Sequence, residues 1–369
     1  MTCTGKIALV AGARPNFMKV APLLRELRKY PKMFRTQLIH TGQHYDAEMS
    51  DVFFRDLDLP RPDRFLGVGS GSHAEQTAKV MMAFEKACIE ERPDLVVVVG
   101  DVNSTMACAL AAKKLCIAVA HVEAGLRSRD WTMPEEINRV VTDRISDLLF
   151  TPSRDADENL LREGIPAERI YFVGNVMIDS LLAHLPKIDR HDILQRFGIE
   201  AGNYATLTLH RPSNVDNPEV FRGIVDVMVE LSGELPIVWP IHPRSRKMLE
   251  RLGLVQHIAS SRGVKLTDPI GYSDMLTLNR CARVILTDSG GLQEEATVLG
   301  VPCITLRQNT ERPVTIEVGA NRVVGNRPAA IRSAVRTVLR GNGPTIRIPE
   351  LWDGKTAARI VDVLIRLSS

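Results

Sequence analysis

The sequence predicts an α/β protein made of two Rossmann-like, doubly wound parallel-sheet domains. Three observations carry this. Short apolar runs alternate with amphipathic helix patterns along the whole chain. At 369 residues the chain exceeds the usual size of a single core. The distinctive polar residues sit just after strand ends, where open parallel sheets bind ligands.

Residues 6–11 read as a buried strand. Gly12-Ala-Arg-Pro-Asn16 leads into a helix with apolar positions at Phe17, Val20, Ala21, Leu24 and Leu27. Residues 36–41 form the next strand, ended by Gly42, and Ser72 is placed to cap a helix over 75–91. Leu95-Val-Val-Val-Val99 is continuous and β-branched, as a central parallel strand requires. A helix over 106–115, a strand over 117–122, a helix over 135–145 and strands over 148–151 and 170–173 complete the first half. The second half repeats the alternation, with strands over 204–209, 237–240, 264–267, 284–287 and 303–306 and helices between them, one over 218–231. Residues 178–203 carry weak strand signals, so the domains are expected at 1–177 and 178–354. The segment 355–369 holds a helix with no strand after it, and topology assigns it to the first domain.

Apolar content of 44% and charged content of 25% are those of a soluble globular protein. The net charge of +3 is not gathered into a Lys/Arg-dense run and aromatics are only 5%, which argues against nucleic acid as a partner. No signal peptide or membrane-length apolar run is read, so the expectation is a cytoplasmic protein with no membrane contact. None of the six cysteines forms a CxxC pair, and five lie in apolar patterns as small core residues. The nine histidines lack metal-ligand spacing, so no metal site is expected.

Residues 284–296, Val-Ile-Leu-Thr-Asp-Ser-Gly-Gly-Leu-Gln-Glu-Glu-Ala, read as a buried strand, a tight turn and a helix whose first N–H groups lack partners. Such a terminus attracts anions; Ser289 adds a hydroxyl, and Gly290 and Gly291 let a phosphate approach closely. A capped helix after a core strand is the plainer reading, and no GxxxxGK[ST] loop is present. Asp101 reads equally as a helix cap or as a site carboxylate, with Asn103 and Ser104 as alternative caps. Glu123, in His121-Val-Glu-Ala-Gly-Leu-Arg127, leaves a buried strand, where a carboxylate is costly unless functional or paired, for instance with Arg127 or Arg139. Pro134-Glu-Glu-Ile-Asn-Arg139 opens a helix from which only one of Glu135 and Glu136 faces the site. His210-Arg211 and His242-Pro-Arg244 place His and Arg at two strand ends, which suits a diphosphate or sugar. Arg14 and Lys19 belong to a solvated helix face or to a phosphate site, and Arg312 meets a phosphate or Glu311.

Taken together and in order, the motifs resemble the non-hydrolysing UDP-N-acetylglucosamine 2-epimerases over nearly the whole chain. They are Gly12-Ala-Arg-Pro with Lys19-Val-Ala-Pro22, Thr41-Gly-Gln-His44, Gly100-Asp101, the segments 121–127 and 134–139, Gly174-Asn175, Leu209-His-Arg211, Thr287-Asp-Ser-Gly-Gly-Leu-Gln-Glu-Glu295 and Thr310-Glu-Arg-Pro313. The resemblance implies a glycosyltransferase-B-like fold with the active site in the interdomain cleft. It implies reversible C2 epimerisation of UDP-GlcNAc to UDP-ManNAc, feeding polysaccharide synthesis, with no cofactor, NAD or metal. The implied route eliminates UDP to a bound 2-acetamidoglucal and adds it back. Carry-over makes Asp101, Glu123, Glu135 and His210 catalytic. It makes Arg14, Lys19, Arg139, His242, Ser289, Gly290, Gly291, Glu295 and Arg312 substrate-binding, with Glu295 on the ribose. A homodimer is implied, as is activation by a second UDP-GlcNAc near Gln43, His44 and Arg211.

This chain departs from the family pattern at three places. Asn16 stands where many bacterial members have Glu, Tyr45 follows Gln43-His44 where Arg is usual, and Pro212-Ser213 follows His210-Arg211 where Arg-Glu is usual. An Arg expected near residues 69–72 is absent. These differences touch the activator more than the chemistry. The alternatives are a hydrolysing 2-epimerase that releases ManNAc and UDP, a transferase on the same fold, and a non-catalytic nucleotide-sugar binder.

Overall fold

A computed structural model describes residues 5–42, 59–188, 190–342 and 345–368, and leaves undescribed the side chains at 14, 190 and 191. Gln43, His44 and the Arg14 side chain therefore lie outside the described residues. The chain divides into two compact units, Met1–Ala183 with Glu350–Ser369, and His184–Pro349.

In the first unit, β1 (Gly5–Ala11) leads to α1 (Arg14–Leu27) and β2 (Phe34–His40). Then come β3 (Arg64–Phe65), α2 (His73–Glu91), β4 (Leu95–Val99), α3 (Asn103–Lys114), β5 (Ala118–Val122) and α4 (Pro134–Ile145). The run closes with β6 (Leu148–Thr151), α5 (Arg154–Arg162), β7 (Ile170–Phe172) and α6 (Val176–His184). The strands form one sheet in the order β3-β2-β1-β4-β5-β6-β7, and its pairings are parallel. Val96, Val98 and Val119 pack with Phe84, Ala107 and Ala111 from α2 and α3 into a dry core. A parallel sheet covered on both faces needs this continuous β-branched run. Ser72 caps α2 as expected, its hydroxyl accepting from Glu75 N at 3.2 Å.

The second unit contains α7 (Arg190–Phe197), β8 (Ala205–Thr208), α8 (Pro212–Val215), α9 (Pro218–Leu231), β9 (Ile237–Pro240), α10 (Pro243–Arg251) and α11 (Val255–Ser260). It continues with β10 (Val264–Thr267), α12 (Tyr272–Cys281), β11 (Val284–Thr287), α13 (Gly290–Leu299), β12 (Cys303–Thr305), α14 (Val314–Glu317), β13 (Asn321–Val323) and α15 (Pro328–Leu339). Its sheet, also parallel, runs β10-β9-β8-β11-β12-β13. Trp239, Phe221 and Leu207 lie in its largest core cluster.

Some expectations change. The strands β3 and β13 were not anticipated, because Arg64-Phe65 and Asn321-Arg-Val323 are short and largely polar and present no apolar run. The stretch around 190, where strand signals are weak, forms the helix α7. Cys116 is exposed at φ 59° in the turn between α3 and β5 and is not a core residue. No described helix is long and apolar enough to cross a membrane.

The last helix (Thr356–Ser368) packs on α1 within the first unit. Asp179, on α6, accepts from Thr356 N at 3.1 Å and Ala357 N at 2.7 Å, closing the exposed start of that helix. Trp352 donates its indole N–H to Pro152 O at 2.9 Å. Asp179→Ala removes a helix cap contributed from another element. It is expected to destabilise the protein by about 1 kcal/mol and to speed proteolysis at the start of the last helix, as read by denaturant titration and limited digestion.

Candidate active site

Both sheets reverse strand order once near the middle, between β1 and β4 in the first and between β8 and β11 in the second. Loops on either side of such a switch diverge and leave a crevice at the strands' carboxyl ends. The residues singled out from sequence gather at these two places.

In the first unit, Val99 pairs with Val122, so Gly100 and Glu123 emerge side by side. Glu123 is 4% exposed with φ 71°, a left-handed conformation uncommon for a residue with a side chain. Sequence left open a pair with Arg127 or Arg139, and the cation that meets Glu123 is a different one. Lys19 is buried rather than on a solvated face, and its ammonium donates to Glu123 Oε2. Glu123 Oε1 is buried without a hydrogen-bond partner among the described residues. Gly100 makes room for the pair: a Cβ there would lie 2.8 Å from Lys19 Nζ, at φ +67°. Asn16 accepts from Gly12 N and Ala13 N at 3.0 and 2.9 Å and donates to Val99 O at 3.1 Å, so it ties the β1 loop to β4. A glutamate there would accept but not donate.

Asp101 is half-buried, with Oδ2 2.5 Å from Arg139 Nη1. Val102 occupies the cap position of α3 without a side-chain bond; Asn103 donates to Gln76 Oε1 at 2.9 Å, and Ser104 shares a 2.8 Å hydrogen bond with Thr41. Arg139 is buried against Asp101 and Glu136. Of the tandem acids, Glu136 turns inward and accepts from Ser128 N at 2.9 Å and Arg129 N at 2.8 Å, while Glu135 is half-buried. Burial pushes the Glu136 carboxyl up, but Arg139 and the Ser128 and Arg129 amides outweigh it and hold it below the usual range.

In the second unit, Ser289 holds the cap position of α13 but its side chain makes no capping bond. The merely capped helix is thus not what forms, and the leading N–H groups keep their attraction for an anion. Gly290 is crowded by design: a Cβ there would lie 2.6 Å from both Arg312 Nη1 and Glu311 Oε1. Arg312 pairs with Glu311 at 2.5 Å, and also with Glu294 at 2.7 Å, beside that helix start. Asp288, given no role from sequence, is fully buried and organises the opposite loop. It accepts from His210 N at 3.1 Å, Arg211 N at 3.0 Å and Asn214 Nδ2 at 3.2 Å, and lies 2.8 Å from His210 Nδ1. Burial raises its carboxyl, yet His210 and these amides bring it below the ordinary value. His242 caps α10 through Nδ1, which accepts from Arg244 N at 3.1 Å, and its ring centroid is 5.7 Å from that of His210. Partial burial and His210 lower its pKa. Glu295 is buried with one bond from Tyr272 Oη at 3.2 Å. Burial pushes its carboxyl up to about 7 against that bond, and Glu294 adds to the rise.

Sequence reasoning missed Asp288, Asp143 and Tyr272. Asp288 follows a strand end like the residues that were noticed; Asp143 and Tyr272 sit within helices and carried no such signal. Among the described residues no group of His, Cys, Asp and Glu could hold a metal ion.

Two Rossmann-like parallel-sheet units with strand-end polar sites define a glycosyltransferase-B-like protein. A glycosyltransferase from Rickettsia africae has this architecture at 14% identity, with TM-score 0.57 over 98% of this chain and 94% of its own; that likeness bears on the fold alone. The family model described as UDP-N-acetylglucosamine 2-epimerase matches residues 25–365, and the chain belongs to that family. It is 45% identical to the UDP-N-acetylglucosamine 2-epimerase of Methanocaldococcus jannaschii over 97% of this chain and 98% of that one. A crystal structure of the M. jannaschii enzyme, in complex with UDP-GlcNAc and UDP, superposes with TM-score 0.90 at 44% identity, covering 98% and 99% of the two chains. The chain is also 40% identical to the UDP-2,3-diacetamido-2,3-dideoxy-D-glucuronate 2-epimerase of Pseudomonas aeruginosa, over 98% of this chain and all of that one.

The raised Glu295 carboxyl has a consequence for stability. The fold prefers its protonated form, so stability is lost as pH rises from the ordinary value of 4.5 to about 7 and is level above that. Glu295→Gln cannot ionise. Its stability relative to wild type is expected to rise by roughly 3 kcal/mol across that window, as read from urea midpoints at several pH values.

Proposed function

We propose that this chain interconverts UDP-GlcNAc and UDP-ManNAc by eliminating UDP and adding it back, without net hydrolysis. One observation carries the reading: two carboxylates, Asp101 and Glu123, leave neighbouring strand ends, each against its own buried cation, Arg139 and Lys19. Inversion at C2 needs proton transfer on two faces of one carbon, and carboxylates set in different environments suit that task.

In this reading the anomeric C–O bond breaks with its electron pair going to UDP. The C2 proton passes to one carboxylate, leaving 2-acetamidoglucal and UDP bound. Protonation of C2 from the opposite face and return of the UDP oxygen to C1 complete the inversion, so no atom is gained or lost. Asp101, Glu123 and Glu135 form the acid/base set, and His210, oriented by Asp288, assists. Arg139 serves through its grip on Asp101. The departing diphosphate goes to the start of α13 with Ser289, Gly290, Gly291 and Arg312, joined by Arg14, Lys19 and His242; donors aimed at developing charge are the strongest electrostatic aid to such a step. Glu295 takes the ribose hydroxyls. Membership of the family supports the C2 chemistry, and the neighbour in complex with both UDP-GlcNAc and UDP supports the nucleotide assignment.

Turnover of UDP-GlcNAc in heavy water, followed by NMR, tests the reading. The expected product is UDP-ManNAc carrying deuterium at C2. Free ManNAc in step with UDP would establish the hydrolysing reaction instead, and transfer to an added acceptor the transferase. The diacetamido-glucuronate substrate named for the Pseudomonas relative is the comparator for sugar specificity. Glu123→Gln is expected to lower C2 exchange by about 10³-fold while UDP affinity stays near wild type. A large loss of UDP affinity would make Glu123 a structural residue.

A further inference from the structure

Beneath the two strand ends lies a buried polar group that this chemistry does not use directly. His121, on β5, is 0% exposed, with Nε2 2.8 Å from Gly100 O and Nδ1 2.6 Å from Asp143 Oδ1. A peptide carbonyl only accepts, so Nε2 carries a proton. Asp143 Oδ2 accepts from Gly125 N at 3.0 Å and from Arg127 Nη1 at 2.7 Å. Burial raises the Asp143 carboxyl, but His121 and Arg127 outweigh it and hold it below its ordinary range. The four polar atoms of the pair are therefore all engaged. Arg127 is held in turn by Glu163 through two bonds of 2.8 and 2.7 Å.

What this group grips gives it a role. Gly100, whose carbonyl His121 binds, immediately precedes Asp101 and has φ 67°. Gly125, whose N–H Asp143 binds, follows Glu123 by two residues, and Glu123 itself has φ 71°. A left-handed turn at a residue with a side chain costs about 1–3 kcal/mol and persists only where its surroundings enforce it. The Asp143–His121 pair therefore clamps the turn after β4 and the turn after β5 to each other.

We propose that Asp143 and His121 are positioning residues for the reaction, holding the backbones of Asp101 and Glu123 in fixed relation. The proposal rests on the reading of those two carboxylates as acid/base groups. Asp143→Ala tests it, because it removes the acceptor of His121, Gly125 N and Arg127 at once. The expected result is a fall in kcat, and in C2 exchange, of about a hundredfold, with KM for UDP-GlcNAc and affinity for UDP within about twofold of wild type. His121→Phe, which keeps a ring on β5 but takes away both of its bonds, is expected to show the same split.

A kcat for Asp143→Ala within twofold of wild type would overturn the proposal. So would a tenfold rise in KM accompanying the fall, because that pattern is general loss of the site. Should Asp143→Ala fail to fold, His121→Phe decides alone, and a kcat within twofold of wild type overturns the proposal. A wild-type protein that does not epimerise UDP-GlcNAc sinks the reaction reading itself, whereas an active wild type whose kcat survives these substitutions sinks only the positioning role.

Discussion

A carboxylate buried near the strand ends of a parallel sheet, whether it comes from a strand or from a helix, has little water to solvate it, and the rest of each site is arranged around that constraint. Burial alone would protonate such a group, so each needs a cation or N–H donors. Asp143 is answered at both oxygens by an imidazole, a guanidinium and an amide. Asp288 is answered by His210, two backbone N–H groups and an asparagine. Glu136 is answered by Arg139 and the amides of a turn. These three are held below their ordinary pKa despite burial, and they behave as scaffolding. Glu123 and Glu295 differ. Among the described residues one oxygen of Glu123 has no hydrogen-bond partner, and Glu295 has a single phenol and a pKa of about 7. A buried acceptor left unmatched costs about 1–3 kcal/mol. Incomplete satisfaction at these two positions separates them physically from their structural neighbours.

The two units meet the same constraint by different means. In the first, side-chain cations do the matching: Lys19 reaches Glu123 from α1 and Arg139 reaches Asp101 from α4. Placing them depends on local backbone, since only a glycine at position 100 lets the lysine close on its partner. In the second unit the backbone itself is the main donor. Asp288 gathers the amides that begin the loop after β8, and the start of α13 has no side-chain cap. A helix terminus offers several N–H groups in fixed array, which suits a polyanion better than a single flexible cation does. The first arrangement suits transfer of single protons and the second suits retention of a diphosphate.

The legible part of the fold followed from periodicity. The strands at 237–240, 264–267 and 284–287 and the helix over 218–231 have the bounds that pattern reading assigns, because apolar or β-branched residues recur in them and the helix has a clear start. The edge strands Arg64–Phe65 and Asn321–Val323 were beyond reach because they are short and largely polar. At the sites, Asp101, Glu123, His210 and Ser289 were visible because each follows a strand end. Their partners were not. Nothing in one sequence says that the cation facing Glu123 is Lys19, 104 positions away, rather than the nearby Arg127. Arg127 is instead drawn to Asp143 and Glu163, neither of which carries a strand-end signal. Pairing is decided by which loops the sheet order brings together, so it appears only once the strand order is known.

Asn16 shows how such a site tolerates sequence change. A glutamate here would accept the two amides as readily as this side chain does. The asparagine adds a donor, which it spends on the carbonyl of Val99, one residue before Gly100. The start of α1, which carries Lys19, is thereby tied to the strand end that carries Asp101. His121 reaches the next carbonyl along, that of Gly100. Two consecutive carbonyls of one turn are thus held by side chains from different elements. A turn fixed in this way keeps its shape through changes at either anchor better than a turn held at a single point.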